Sequence, residues 1–261
     1  MLAHSVAWRR VLPAAAVAVG LLAGLARADE TEDEWFEEVA KGGLVVKTTR
    51  SHRDKPQFRR LDIQAYTDDP EPGAEPTGRL RVSPFSLRVD KRYFPAEASY
   101  PGLRAGDVLP LLGRLFRVAG VAPEAGPNRP GTIAVRPLAL ADVPAGLSFR
   151  KDSLALPGPA AALKPGTLTI GTHALLVWEI GPVKDRGVVA VLTGGLEPQY
   201  PRVALRVGDY LRLGGVGHEV LAIVPRDPKT RAVGWVELAG EPVPIGGLMR
   251  KGATVLDLQP E

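Results

Sequence analysis

The sequence predicts a mainly β protein: two tandem small β barrels or sandwiches behind a short N-terminal arm of helix and hairpin. Three observations carry that prediction. The 29 Gly and 25 Pro make up about a fifth of the 261 residues, which favours short strands and turns over long helices. Apolar residues recur at spacing two, as in "TLTIG" (167–171) and "TIAVR" (132–136), the period of a strand with one buried face. And one line is written twice: "LRAGDVLPLLGRLFRVAGVAP" from Leu103 to Pro123, then "LRVGDYLRLGGVGHEVLAIVP" from Leu205 to Pro225.

The first segment, 1–28, reads as a secretory signal peptide. Arg9 and Arg10 precede the apolar run "VLPAAAVAVGLLAGLA", and Ala26-Arg27-Ala28 is an A-x-A cleavage site followed by acid. The run is shorter than the 18 or so residues of a membrane span. The expected location is therefore secreted or periplasmic, with no stable membrane span after cleavage. Cleavage takes Arg9, Arg10 and Arg27 from the 33 basic residues, leaving 30 against 29 acidic. A chain so near neutrality has no global electrostatic attraction to nucleic acid. With no Cys, disulfides, thiolate metal sites and cysteine nucleophiles are excluded.

Residues 29–77 form the arm. In "DETEDEWFEEVAK" (29–41), Thr31 and Glu34 make a capping box, acids crowd the helix N-terminus and Gly42-Gly43 end it. Trp35, Phe36 and Val39 share one apolar face that must dock on a repeat or on a partner. A strand from Leu44 to Thr48, a basic loop and an alternating strand from about Arg60 to Tyr66 follow, and "DDPEPGAEPTG" links them to the first repeat.

Repeat one spans 78–157, "PGPAAALKP" (157–165) is the linker, and repeat two spans 166–261. Besides the doubled line, "GRLRVSPFSLRVD" (78–90) aligns with "GTLTIGTHALLVW" (166–178), and "GTIAV" (131–135) with "GWVEL" (234–238). Agreement in one order over separate segments is the mark of an internal duplication. In each Gly-Asp pair the glycine admits positive φ and the carboxylate bonds local backbone, which suits a tight turn before a strand. The pattern L-R-x-G-D-x-L-x-L resembles strands of SH3-like small barrels, and that resemblance implies a small barrel for each repeat. The stretch "VKDRGVVAVLTGG" (183–195) has no match in repeat one and predicts an added hairpin.

The motifs of familiar chemistries are missing from the sequence. There is no H-E-x-x-H, G-x-S-x-G or P-loop, and repeat two contains no serine. His173 and His218 align with Phe85 and Phe116, so they read as histidines in packing positions. The competing reading is a two-histidine metal site completed by Asp209 or Glu219. No cofactor, metal or catalytic residue is assigned.

Two candidate binding sites remain. The loop bearing Arg50, Arg53, Lys55, Arg59 and Arg60 suits an anionic glycan or headgroup, or is a solvated face. Strand parity supplies the second. With Leu168, Ile170, Leu175, Val177, Val236 and Leu238 inward, Leu176, Trp178, Tyr210 and Trp235 point outward, where repeat one has mostly polar residues. Such rings form a contact surface, or lie buried beneath another element. The functional expectation is an exported, non-enzymatic binding or scaffold protein of the cell envelope, with a protein or polysaccharide partner. The alternatives are a structural subunit of an envelope complex, for which the aromatic face would be a subunit interface, and an unrecognised hydrolase or metal enzyme.

Overall fold

In a computed structural model the chain divides into two units, Met1–Lys41 and Gly42–Glu261. The structure describes residues 43–47, 57–58, 61–68, 73–89, 92–111, 113–126, 128–151, 153–160, 165–170, 173–185, 187–194, 202–213, 216–241, 243–244 and 255–257, all in the second unit. The signal-like segment, the acidic 29–41 segment and the basic residues Arg50 to Arg60 lie outside them.

The described residues are mainly β, in three sheets. A four-stranded sheet runs β1 (Leu44–Lys47), β8 (Thr132–Pro137), β7 (Arg114–Ala122), β6 (Val108–Leu111). A second small sheet runs β9 (Ser153–Pro157), β16 (Trp235–Ala239), β15 (Val216–Val224), β14 (Tyr210–Leu213) and β18 (Val255–Asp257), with β17 (Val243–Pro244) also on β15. The largest has eight strands in the order β13, β12, β11, β10, β5, β4, β3, β2. These are β2 (Gln57–Phe58), β3 (Leu61–Thr67), β4 (Gly78–Val89), β5 (Arg92–Leu103), β10 (Gly166–Ile170), β11 (His173–Val183), β12 (Gly187–Thr193) and β13 (Arg202–Leu205). Pairing is antiparallel within the sheets except between β14 and β18.

The same pairing scheme occurs twice. β1 pairs β8 as β9 pairs β16, and β8–β7–β6 matches β16–β15–β14. The meander β2–β3–β4–β5 matches β10–β11–β12–β13, and each begins with a two-residue hairpin, Phe58 opposite Leu61 and Ile170 opposite His173. β7 carries an irregularity between Val118 and Gly120, and β15 carries one at the matching place, between Val220 and Ala222. Pairing of β5 with β10 joins the two meanders into one sheet.

The doubled line explains part of this. Gly106 and Gly208 have φ of 86° and 90°, a left-handed conformation open to glycine. Gly106 N–H donates to Val118 O (2.7 Å), Val118 N–H to Asp107 O (2.8 Å) and Arg104 N–H to Asp107 Oδ2 (2.9 Å). The counterparts are Gly208 to Val220 (2.8 Å), Val220 to Asp209 (2.8 Å) and Arg206 to Asp209 Oδ2 (2.8 Å). Each aspartate is thus the side-chain brace of its turn.

Several sequence expectations change. Among the described residues no sheet closes into a barrel. The arm strands at 44–47 and 61–67 belong to the first pairing scheme, and "SLALP" (153–157), read as the end of repeat one, pairs with β16. The alignment of 78–90 with 166–178 does not follow the pairing. β4 is one strand with an irregularity after Val82, whereas 166–178 is the hairpin β10–β11, whose counterpart is β2–β3. Alternation alone matches any strand to any other, which is why that segment aligned. The 183–195 stretch is accordingly no addition: β11–β12 matches β3–β4.

One face of the eight-stranded sheet forms the core. Val82, Ala98, Leu168 and Leu175 make a buried row across β4, β5, β10 and β11. The four-stranded sheet packs against that face: a Cβ on Gly78 would come within 2.8 Å of Ile133 Cδ1, and Tyr100 Oη donates to Pro110 O at 2.6 Å. β15 of the other small sheet likewise meets β12. Full burial of a leucine or valine contributes about 1.5–3 kcal/mol, so these rows fix the strand register.

Candidate functional site: the open face of the eight-stranded sheet

The opposite face of the long sheet is open at Tyr66, Arg79, Trp178 and Arg202, whereas Gln64, Leu176 and Thr193 on it are buried. Its central row, read from the register, is Gln64, Arg81, Ser99, Thr167, Leu176, Thr193 and Arg202. Tyr66 and Trp178 each stand two residues beyond a member of that row, Gln64 and Leu176. They occupy matching places in β3 and β11, and they are exposed to nearly the same degree, 39% and 38%. Three strands lie between β3 and β11, so the rings are separated by four strand spacings, roughly 19 Å along the sheet.

Each ring has a polar setting. Tyr66 Oη donates to Gln64 Oε1 at 2.6 Å, and Tyr66 stands opposite exposed Arg79. Arg81 pairs with Glu97 on the same face. The Glu97 hydrogen bond holds the Arg81 guanidinium even more firmly protonated than usual, against the opposing effect of its partial burial. Trp178 is the extra residue of a bulge between Val177 and Glu179, so it has no partner across on β12. A bulge of this kind re-aims a side chain. The Arg202 guanidinium lies 4.1 Å from the Trp178 ring centroid, a cation–π contact.

The expected aromatic surface is corrected by burial. Of Leu176, Trp178, Tyr210 and Trp235, only Trp178 is open; Leu176 and Tyr210 are buried and Trp235 is wholly inaccessible. Tyr210 lies on an inner strand, between β15 and β18. Trp235 stands opposite Pro157 of β9. Glu237, on the same side of β16, accepts the Arg150 N–H at 3.2 Å, so the chain leading into β9 lies along that side. Parity identifies the side of a strand a residue occupies, not what covers that side.

His218 is buried where the first half has buried Phe116. Its Nδ1 lies 2.7 Å from Ala239 O, and desolvation holds its imidazole below the usual pKa despite that bond. The His173 side chain lies outside the described set. Among the described residues no three His, Cys, Asp or Glu side chains converge as a metal site would require. No protein-family model, curated protein or solved structure matches the chain.

Sequence reasoning missed one cluster entirely. The loop after β15, Pro225 to Gly234, crosses to the start of β6. Val108 N–H donates to Arg231 O (2.8 Å) and Val233 N–H to Val108 O (3.0 Å). Arg231, at φ 63°, places Nη2 3.3 Å from Asp107 Oδ1 and bonds Ala105 O, while Arg226 Nη2 lies 3.7 Å from Asp107 Oδ2. Asp107 is buried. Burial pushes its carboxyl pKa above the usual value, only partly offset by the Arg104 N–H and the nearby guanidinium groups. The signal in the sequence is "RDPKTR" (226–231), an Asp-Pro turn flanked by two arginines.

Proposed function

We propose that the chain is an exported, non-enzymatic binding or scaffold module of the cell envelope, built by tandem duplication of an eight-strand unit. It engages a protein partner through the open face of the long sheet. The observation that carries this reading is the matched exposure of Tyr66 and Trp178 on one face, each beside an arginine. Trp, Tyr and Arg are the residue types that dominate binding hot spots. Arg79, Arg81 and Arg202 share that face with Glu97 and exposed Glu179, so charged groups of both signs are offered to a partner and the encounter is salt-dependent. The envelope location rests on the signal-like features of 1–28.

The test is retention of an envelope protein by immobilised residues 29–261. Retention should weaken above about 0.3 M salt and disappear in Trp178→Ala and in Arg202→Glu. It should persist in Val207→Ser, at an exposed turn residue. Equal retention by the wild-type and the two face variants contradicts the assignment. Concentration-dependent self-association that the same variants abolish would make the partner a second copy, and the protein a structural subunit.

A further inference from the structure

The cluster at Asp107 has a property that bracing the fold does not require. Arg104, Asp107, Arg226, Asp227, Pro228, Arg231 and Ala232 line a cleft of about 290 Å³. Three guanidinium groups face two carboxylates there. Asp227 is committed to its own turn: it accepts Lys229 N–H at 2.9 Å, Thr230 Oγ1–H at 2.9 Å and Thr230 N–H at 3.3 Å. Asp107 is therefore the one lining carboxylate set against the three arginines.

Their donor capacity is largely unspent. A guanidinium has five N–H donors. Arg226 reaches Asp107 only at 3.7 Å, beyond hydrogen-bonding distance, and its Nη1 is buried with no hydrogen-bond partner among the described residues. Arg104 pairs with Glu75 at 4.0 Å, both side chains being about half exposed, and such a pair holds little. A buried donor left unbonded is costly, but Nη1 itself offers no surface to an outside group; the donors an anion can reach lie on the accessible parts of the three side chains, Arg104 at 46%, Arg231 at 42% and Arg226 at 30%.

We propose that this cleft is a phosphate-binding site, occupied by a free phosphate or by the phosphate end of a larger molecule. Guanidinium groups match phosphate oxygens in pairs, and the volume suits one small group rather than a drug-sized ligand. Arg226 and Arg231 come from the second half and Arg104 from the first, so the bound anion spans both. The site does not depend on the open face and stands or falls separately from it.

The experiment is a thermal melt of residues 29–261 at pH 7 with added inorganic phosphate, with glycerol phosphate, and with sodium chloride at matched ionic strength. A saturable rise over chloride of about 3 °C at ten times the dissociation constant is expected. A rise with both phosphates identifies a phosphate-end site, and a rise with inorganic phosphate alone a free-anion site. Arg226→Gln and Arg104→Gln should each flatten the titration at least fivefold, while Arg202→Gln, on the open face, should leave it unchanged. Arg104, half exposed and weakly paired, keeps the test valid if Arg226→Gln melts without cooperativity. No rise over chloride, or a rise undiminished in the Arg104 variant, overturns the assignment.

Discussion

β6 and β14 start from the same turn, with the same bonds at Asp107 and Asp209, yet their outer edges are completed from different places. Tyr210, at the start of β14, pairs in parallel with Val255 of the C-terminal strand. Val108, at the matching place in β6, makes a parallel bridge to Ala232, in the loop after β15. The first half therefore borrows its edge from the second, and Arg226 and Arg231 arrive with that loop. The halves differ inside as well: Thr132 and Phe116 in the first correspond to Trp235 and His218 in the second. Identical local chemistry sets the turn, while the neighbour across the edge decides what each turn becomes.

The largest expected effect breaks the comparison at β8 and β16. Trp235→Ala removes a wholly buried ring, and the cost should be about 3–5 kcal/mol. Thr132→Ala, at the matching half-buried position, should cost less than about 1 kcal/mol. Urea unfolding of both variants measures the difference, and equal losses would mean that Trp235 is not enclosed. Next comes the clasp. Asp107→Ala removes a charged acceptor from the Arg104 N–H and both cross-half ion pairs, and should cost about 3 kcal/mol. Gly106→Ala and Gly208→Ala, each forcing a side chain into left-handed backbone, should each cost about 1–2 kcal/mol. A pronounced inequality between these two would break the equivalence of the turns.

The smallest effect is a pH dependence, and it separates the two aspartates of the cleft. Burial raises the Asp107 carboxyl pKa in the folded protein. Its contribution is then fully present below the unfolded value of about 3.9 and is lost as pH rises through the folded value. Asp227 is held below its usual pKa, first by the Lys229 N–H and then by the Thr230 hydroxyl. Its contribution is present above about 3.9 and lost as pH falls. The stability of wild type relative to Asp107→Asn should decline on raising the pH from 4, whereas relative to Asp227→Asn it should decline on lowering the pH below 4. Stability curves of the three proteins read both slopes, and slopes of one sign would contradict the assignment of burial to Asp107.

The doubled line was legible because a Gly-Asp turn makes particular demands: a residue free at positive φ and a short carboxylate. β2–β5 and β10–β13 were not legible as counterparts, because a strand asks only for alternation and many segments supply it. Trp178 was placed on the correct side by alternation. Tyr66, its counterpart, is hidden from the sequence because alternation aligns β11 with β4 as readily as with β3. Trp235 was misjudged because a covering chain, here the approach to β9, leaves no mark on the strand it covers. The arginines of the clasp were invisible for the same reason, since their partner lies more than a hundred residues away.

Oxidative footprinting of Trp178, Tyr66 and Trp235, with residues 29–261 alone and then held in an envelope extract, tests the central claim most directly. The account predicts that Trp178 and Tyr66 label readily in the free protein and are protected together on binding, with Trp235 unlabelled throughout. Labelling of Trp178 and Tyr66 that stays the same in the extract, or a Trp235 that labels in the free protein, would contradict it.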